Sequence, residues 1–158
     1  MKQYDAIIIG FGKAGKTLAA ELSNRGWQVA IVERSNMMYG GSCPNVACIP
    51  TKTLVHEAEV SALLYHDDFP KQANMYKQAI GRKNRLTSFL RNDNYERLSK
   101  RPNVTIYTGT GSFISADTIK VELPEGEIER KRDIYQHGVY SHYPCTRWYS
   151  AKSARIYQ

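Results

Sequence analysis

An α/β fold built on a parallel sheet is predicted by three features at the start of this 158-residue chain. Tyr4 to Ile9 reads Tyr-Asp-Ala-Ile-Ile-Ile, a β-branched run of the kind a strand buried on both faces requires. Gly10, Gly12 and Gly15 follow at once as G-x-G-x-x-G. Gln28 to Glu33 is a second apolar run that ends in an acid.

Between the two runs, Leu18 and Leu22 recur at helical spacing and Gly26 supplies a stop signal, so the segment is a β-α-β unit. Its glycine spacing has a physical cause. Gly10 permits a tight turn, Gly12 lets backbone amides approach a pyrophosphate, and Gly15 lets helix and strand pack closely. The helix N-terminus offers positive potential to phosphates, and Glu33 is placed to accept hydrogen bonds from ribose hydroxyls. The glycine pattern alone would also suit a merely structural turn. With strand, helix, second strand and acid in register it points to a dinucleotide, either NAD or the ADP half of FAD.

The stretch GGSCPNVACIPTK, Gly40 to Lys52, narrows the choice. Pro50 fits early in a helix, and Leu54, Ala58, Ala62 and Tyr65 continue it at spacings of four, four and three, so Cys43 and Cys48 should lie where that helix begins. A helix N-terminus is one place where thiolates become reactive. The C-x4-C spacing is longer than the thioredoxin-type C-x-x-C, and His56 stands alone, so no zinc-finger set accompanies the pair. Two inert core thiols are the remaining plain reading.

This segment resembles the redox-active segment of the flavoprotein pyridine nucleotide-disulfide oxidoreductases, the class I family of lipoamide dehydrogenase, glutathione reductase and mercuric reductase. Ile9-Gly-Phe-Gly-Lys-Ala-Gly-Lys-Thr-Leu-Ala, Met38-Tyr-Gly-Gly, Pro50-Thr-Lys-Thr-Leu-Val-His56, Arg82-Lys-Asn and Phe89-Leu-Arg-Asn are similar to the reactive-chlorine-resistance, hypothiocyanous acid reductase branch. The likeness runs from residue 1 to about 129. It implies a Rossmann-like FAD/NAD(P)-binding domain with a β-meander crossover, FAD as cofactor and NAD(P)H as the electron donor of the full-length family. It implies roles as well. Cys48 is the flavin-side thiol that accepts electrons, Cys43 the interchange thiol that meets a small-molecule oxidant, and Lys52 a neighbour of flavin N5. Glu33 binds the adenosine ribose, Gly111 contacts the adenine side through its backbone, and Gly41 and Ser42 join Gly10, Gly12 and Gly15 in cofactor binding. The family usually has glycine before the second cysteine where this chain has Ala47, and a positive φ there would cost alanine about 1 kcal/mol.

Beyond the cysteines, Lys77 to Leu98 reads as a long solvated helix, its basic residues a wet face. Val104 to Thr108, Gly111 to Ser115 and Thr118 to Leu123 read as short strands with turns at Gly109 and Ala116-Asp117. The pattern then fails. Residues 130–158 hold five of the eleven tyrosines, with His137, His142 and Cys145, and show neither strand nor helix period. One choice of codons for Ile134 to Tyr149, read with the first base dropped, gives FINTGSIPIIPALDG, which matches the strand, Thr-Gly-Ser and spaced prolines the family has at this point. The expectation is a domain over 1–129 and an aberrant, disordered tail over 130–158 produced by a frameshift. A chain of that kind, without nicotinamide and dimerisation domains, is expected to be unstable, to retain FAD weakly and to be inactive alone; the homodimer belongs to the full-length family. His137, His142 and Cys145 are assigned to no site, and no metal is assigned.

Charge agrees with this division. Lys and Arg exceed Asp and Glu by 16 to 14 over residues 1–129 and by 6 to 1 over 130–158, so most of the net +7 sits in the tail. That argues against nucleic acid, which needs cations along one folded face among stacking aromatics. Tyr4 to Ile9 is far too short to span a bilayer and no signal peptide precedes it, so no membrane partner is expected and the location is read as cytoplasmic. In a reducing cytosol a close cysteine pair is catalytic or metal-binding rather than a structural disulfide.

Overall fold

A computed structural model describes residues 2–115 and 118–123, and the backbone of 135–142, 145–147 and 154–157. The first strand, β1 (Gln3–Ile9), leads through the glycine turn into α1 (Lys13–Asn24) and back to β2 (Val29–Glu33). β1 and β2 pair in parallel from Ala6 with Val29 to Ile9 with Val32. Helix α1 stops where expected: Gly26 takes φ +83° and its N–H donates to the Ser23 carbonyl at 3.0 Å.

The apolar runs are continuous because both sheet faces are covered. On one face Ile8, Val29 and Ile31 pack with Phe11, Ala19, Tyr39, Leu98 and Val104. On the other, Tyr4, Ile7, Ala30 and Val32 pack with Ile119 and Val121. Adjacent residues of one strand thus enter opposite cores, as a period of two demands. Each fully buried Ile or Val contributes about 1.5–3 kcal/mol through removal of apolar surface from water, before entropic costs.

After β2 come a 3-10 turn over Asn36–Met38, the single-turn helix α2 (Ser42–Asn45), α3 (Cys48–Leu64) and α4 (Phe69–Ser99). Helix α4 begins eight residues before the sequence reading places it. Asp68 accounts for this, since its carboxylate accepts the Lys71 N–H at 3.1 Å and Pro70 stands in the first turn, a start signal that outweighs the weak apolar pattern behind it. Most of α4 is solvated as expected; Ala79, Thr87, Asn94 and Leu98 are its buried residues. Helices α3 and α4 are tied by a two-pronged ion pair in which Arg82 Nε donates to Glu57 Oε1 at 2.6 Å while Nη2 donates to Oε2.

The three expected short strands form as β3 (Val104–Thr108), β4 (Thr110–Ser115) and β5 (Thr118–Glu122). β4 and β5 are an antiparallel pair, and β3 joins the parallel sheet beside β2, from Val29 with Val104 to Glu33 with Thr108. The turn expected at Ala116-Asp117 lies outside the described residues.

The disordered tail is not what the described residues show. Tyr135–His142 forms β6, parallel to β1 with Ile7 opposite Gly138 and Ile9 opposite Tyr140. Cys145–Arg147 (β7) pairs with β6, and Ala154–Tyr157 (β8) links β5 to the start of β1. The reason lies in the backbone. β1 carries N–H and C=O groups on both edges, β2 satisfies only one edge, and a backbone ladder needs no side-chain period in its partner. Residues 124–134, 143–144, 148–153 and 158 lie outside the described residues, as do the side chains of His137, His142 and Cys145.

Candidate functional site

The glycine turn lies at the C-terminal ends of β1 and β2. Gly10 has φ +101° and its N–H donates to the Val32 carbonyl at 2.7 Å. A Cβ on Gly15 would lie 2.3 Å from the Gly10 carbonyl oxygen and 3.0 Å from Ile8 Cγ2, so glycine is required for helix and strand to approach. At Gly12 the result is different, because a Cβ there would meet nothing within 4 Å. Helix α1 has no side-chain N-cap and no acid in its first turn, so its leading amides and positive end face outward. This is the donor set that a diphosphate fits. Glu33 closes the turn, its Oε2 accepting the Phe11 N–H at 2.9 Å and its backbone carbonyl accepting the Gly109 N–H at 2.8 Å. Gly111 sits in β4, where a Cβ would press on Val32 Cγ1 at 3.3 Å, so the turn, Glu33 and Gly111 border one end of the sheet.

The cysteine segment is laid directly on this turn. Gly41 has φ +84°, and a Cβ there would be 2.7 Å from Gly12 Cα. Gly40, with φ +91°, donates its N–H to the Phe11 carbonyl at 3.0 Å. The chain then enters α2, which carries Ser42 and Cys43, and returns to α3, of which Cys48 is the first residue, so Cys48 stands where the Pro50 helix begins, whereas Cys43 lies ahead of it in a separate single turn. Both thiols are free and exposed. A hydrogen bond to Cys48 is the main cause that raises the Cys43 thiol above its ordinary value, followed by burial and the charge of Cys48, with Lys16 and Lys52 opposing. Lys52 projects from the first turns of α3 and is exposed. Ala47 has φ −122°, so the expected cost of positive φ does not arise; its N–H donates to the Ser42 carbonyl at 2.9 Å and closes the link between the helices.

Helix α4 holds this segment from the side. Arg91 Nε donates to Asn45 Oδ1 at 2.9 Å, and Asn45 Nδ2 donates to the carbonyls of Tyr39 at 2.9 Å and Gly41 at 2.8 Å. Lys16 Nζ, from α1, donates to Asn94 Oδ1. None of Lys16, Asn45, Arg91 and Asn94 is picked out as a site residue by the sequence. Lys16 follows the third glycine of the motif, but it pairs with a residue 78 positions away, which no local pattern reveals.

The pyridine nucleotide-disulphide oxidoreductase family profile matches residues 4–134, most of the chain. The chain belongs to this family. It is 49% identical over 129 residues to the probable pyridine nucleotide-disulfide oxidoreductase RclA of Escherichia coli, covering 82% of this chain and 26% of that relative. A dihydrolipoyl dehydrogenase of Mycobacterium leprae is 34% identical over 139 residues, covering 82% of this chain and 28% of the relative. A mercuric reductase of Staphylococcus aureus is 32% identical over 123 residues, covering 75% and 22%. Among solved structures, a Cu(II) complex of the HOCl-induced flavoprotein disulfide reductase RclA from Escherichia coli superposes with TM-score 0.69 at 48% identity, over 80% of this chain and 26% of that one. The chain therefore spans about a quarter of the length of these relatives. The fold class is the Rossmann-like α/β FAD-binding domain, and the family's cofactors are FAD and NAD(P)H. Among the described residues no helix is long and apolar enough to cross a membrane, and no three His, Cys, Asp or Glu side chains gather as a metal site.

Proposed function

We propose that this chain is the N-terminal FAD-binding portion of an NAD(P)H-dependent flavoprotein disulfide reductase, which passes electrons through a Cys43/Cys48 redox pair to a small-molecule oxidant such as hypothiocyanous acid. The observation that carries the reading is the junction at Gly41 and Gly12. The segment bearing the two sulfurs rests on the turn whose open amides suit a diphosphate, so one short stretch of backbone sets the distance between cofactor and thiols.

FAD, when bound, accepts a hydride and releases two electrons. The residues of this chain do the rest. Gly10, Gly12, Gly15, Gly41 and Ser42 line the diphosphate side, Glu33 receives the ribose hydroxyls, and the Gly111 backbone borders the adenine. Cys48, at the first position of α3, is the flavin-side sulfur, and Lys52 one turn later is the cation beside the reacting ring. Cys43 is the interchange sulfur. Its thiolate attacks the electrophilic atom of the oxidant and expels the leaving group; Cys48 then attacks Cys43 to form the disulfide and release the reduced product. Residues 1–129 form the working domain, and the stretch from residue 130 arises from a shifted reading frame, which resequencing the gene around that codon tests. The homodimer, the cytoplasmic location and the physiological oxidant belong to the full-length reading.

A second reading, a FAD-binding fragment without catalysis, is favoured by one fact, that the chain matches about a quarter of its relatives' length. Titration of the purified chain with FAD, followed by flavin absorbance with and without NADPH, separates the two. Flavin bound without steady NADPH oxidation is the expected outcome for this chain, with turnover recovered in a version restored to family length. A restored chain that purifies colourless, or that turns over equally with serine at positions 43 and 48, overturns the proposal.

A further inference from the structure

Lys16 is a cation that the family reading leaves without a role. It lies one turn into α1, and its backbone N–H donates to the Gly12 carbonyl at 2.9 Å. Three contacts place it against the cysteine segment. Its Nζ donates to Asn94 Oδ1, whose side chain is buried and held by a 2.6 Å hydrogen bond from Nδ2 to the Leu90 carbonyl. The same Asn94 amide fills the space beside Gly40, where a Cβ would meet Nδ2 at 2.5 Å. Gly41, in turn, lies against Gly12, one turn below Lys16, and Cys43 follows two residues later. A half-buried ammonium is thus fixed by an amide that also fixes the entry of the cysteine segment.

We propose that Lys16 is the positioning cation of Cys43, holding positive charge beside the Cys43 sulfur whenever that sulfur is a thiolate, with Asn94 as its anchor. The two cations facing Cys43 act in the same direction. Lys16 and Lys52 pull its proton affinity down against the hydrogen bond and charge of Cys48. The groups facing Lys16 are Lys13 and Arg97, which together with burial lower its own affinity for a proton, and Asp93 and Cys43, which raise it. Lys52 is exposed at the start of the neighbouring helix, whereas Lys16 is pinned, so Lys16 supplies a field that does not depend on a mobile side chain. The inference rests on Cys43 being the sulfur that meets substrate, but it concerns thiolate reactivity alone and does not require flavin.

The test is the pH dependence of alkylation of Cys43 by iodoacetamide in the 158-residue chain with Cys48→Ala, followed by mass spectrometry of the Cys43 peptide. The thiolate sulfur forms an S–C bond and iodide leaves, so the rate reports the thiolate fraction. Lys16→Met should lower the rate at pH 7 by about three- to tenfold, the size expected for a unit charge near a solvent-facing sulfur, and should move the midpoint of the profile to higher pH. Lys16→Arg should keep the profile, and Asn94→Ala should give a smaller loss. A Lys16→Met profile that superposes on its parent overturns the proposal, as does an Arg variant that shifts as far as Met. Should the Met variant lose its far-ultraviolet circular dichroism, the Lys52→Met chain decides. There, 1 M salt must still slow Cys43 through screening of Lys16, and a rate indifferent to salt overturns the inference. A chain that fails to bind FAD yet shows the Lys16 effect counts against the proposed function and leaves this inference standing.

Discussion

Alanine substitution at Gly15 and at Gly12 should separate two jobs that one glycine motif performs. At Gly15 the added Cβ starts 2.3 Å from the Gly10 carbonyl oxygen and 3.0 Å from Ile8 Cγ2, both in the rigid strand-turn unit. An ordinary contact begins at 3.4 Å, so α1 must move outward by roughly 1 Å along its packed face, and overpacking of this kind costs about 1–3 kcal/mol. Alanine's better helix propensity returns at most about 1 kcal/mol. The clash is with fixed backbone, so the cost lies in the upper half of that range and the net loss is about 1–2 kcal/mol; at about 2–4 °C per kcal/mol for a domain of this length, Gly15→Ala should melt about 2–8 °C below the parent. At Gly12 nothing lies within 4 Å and φ is −78°, so alanine there should change stability by less than about 1 kcal/mol. The Gly12 methyl would instead stand over the open amides of α1 and should weaken FAD binding at least tenfold. The assay is thermal unfolding followed by circular dichroism without flavin, paired with FAD titration. A Gly12→Ala chain that melts lower than Gly15→Ala, or a Gly15→Ala chain that melts with its parent, would refute the division.

Two further outcomes are expected. Ala47→Gly should not stabilise the chain, because φ is −122° and glycine only adds unfolded-state freedom, about 0.5–1 kcal/mol of loss in urea denaturation; a gain would place that backbone in the left-handed region. The Arg82 hydrogen bonds hold the Glu57 carboxyl below its usual range, so the pair stabilises above the ordinary glutamate pKa and the effect is lost as pH falls through the lowered one. The difference in urea midpoint between the parent and Arg82→Met should therefore shrink between pH 7 and pH 3, and a constant difference would show that the ion pair is not its source.

The parts legible in the sequence are those whose causes are local. The strand, turn and helix around Gly10 to Gly15 could be read because burial on both faces forces a continuous apolar run, and because close approach forces glycine at Gly15. The position of Cys48 followed from Pro50 and the helical spacing behind it. The start of α4 was hidden because it depends on one cap, Asp68 to Lys71, ahead of any clear period. β6 was hidden for the opposite reason: its pairing with β1 uses main-chain groups that every residue carries. Arg91 meets Asn45 across 46 positions and Asn94 meets Lys16 across 78, and a charged helix gives no sign of which polar residues turn inward.

The close approach of the glycine turn and the cysteine segment has a consequence for how this region tolerates change. Gly41 and Gly12 touch through backbone atoms, with no side chain between them to yield, so a displacement of α1 carries the cysteine segment with it. The Gly40 N–H on the Phe11 carbonyl also joins the two, Lys16 with Asn94 ties α1 to α4 across the same segment, and Arg91 with Asn45 ties α4 to α2. A fold that merely needed two nearby thiols could place them on any pair of facing helices. These ties fix instead the distance from the sulfurs to the open amides of α1, so a group held at those amides meets the thiols at a set separation.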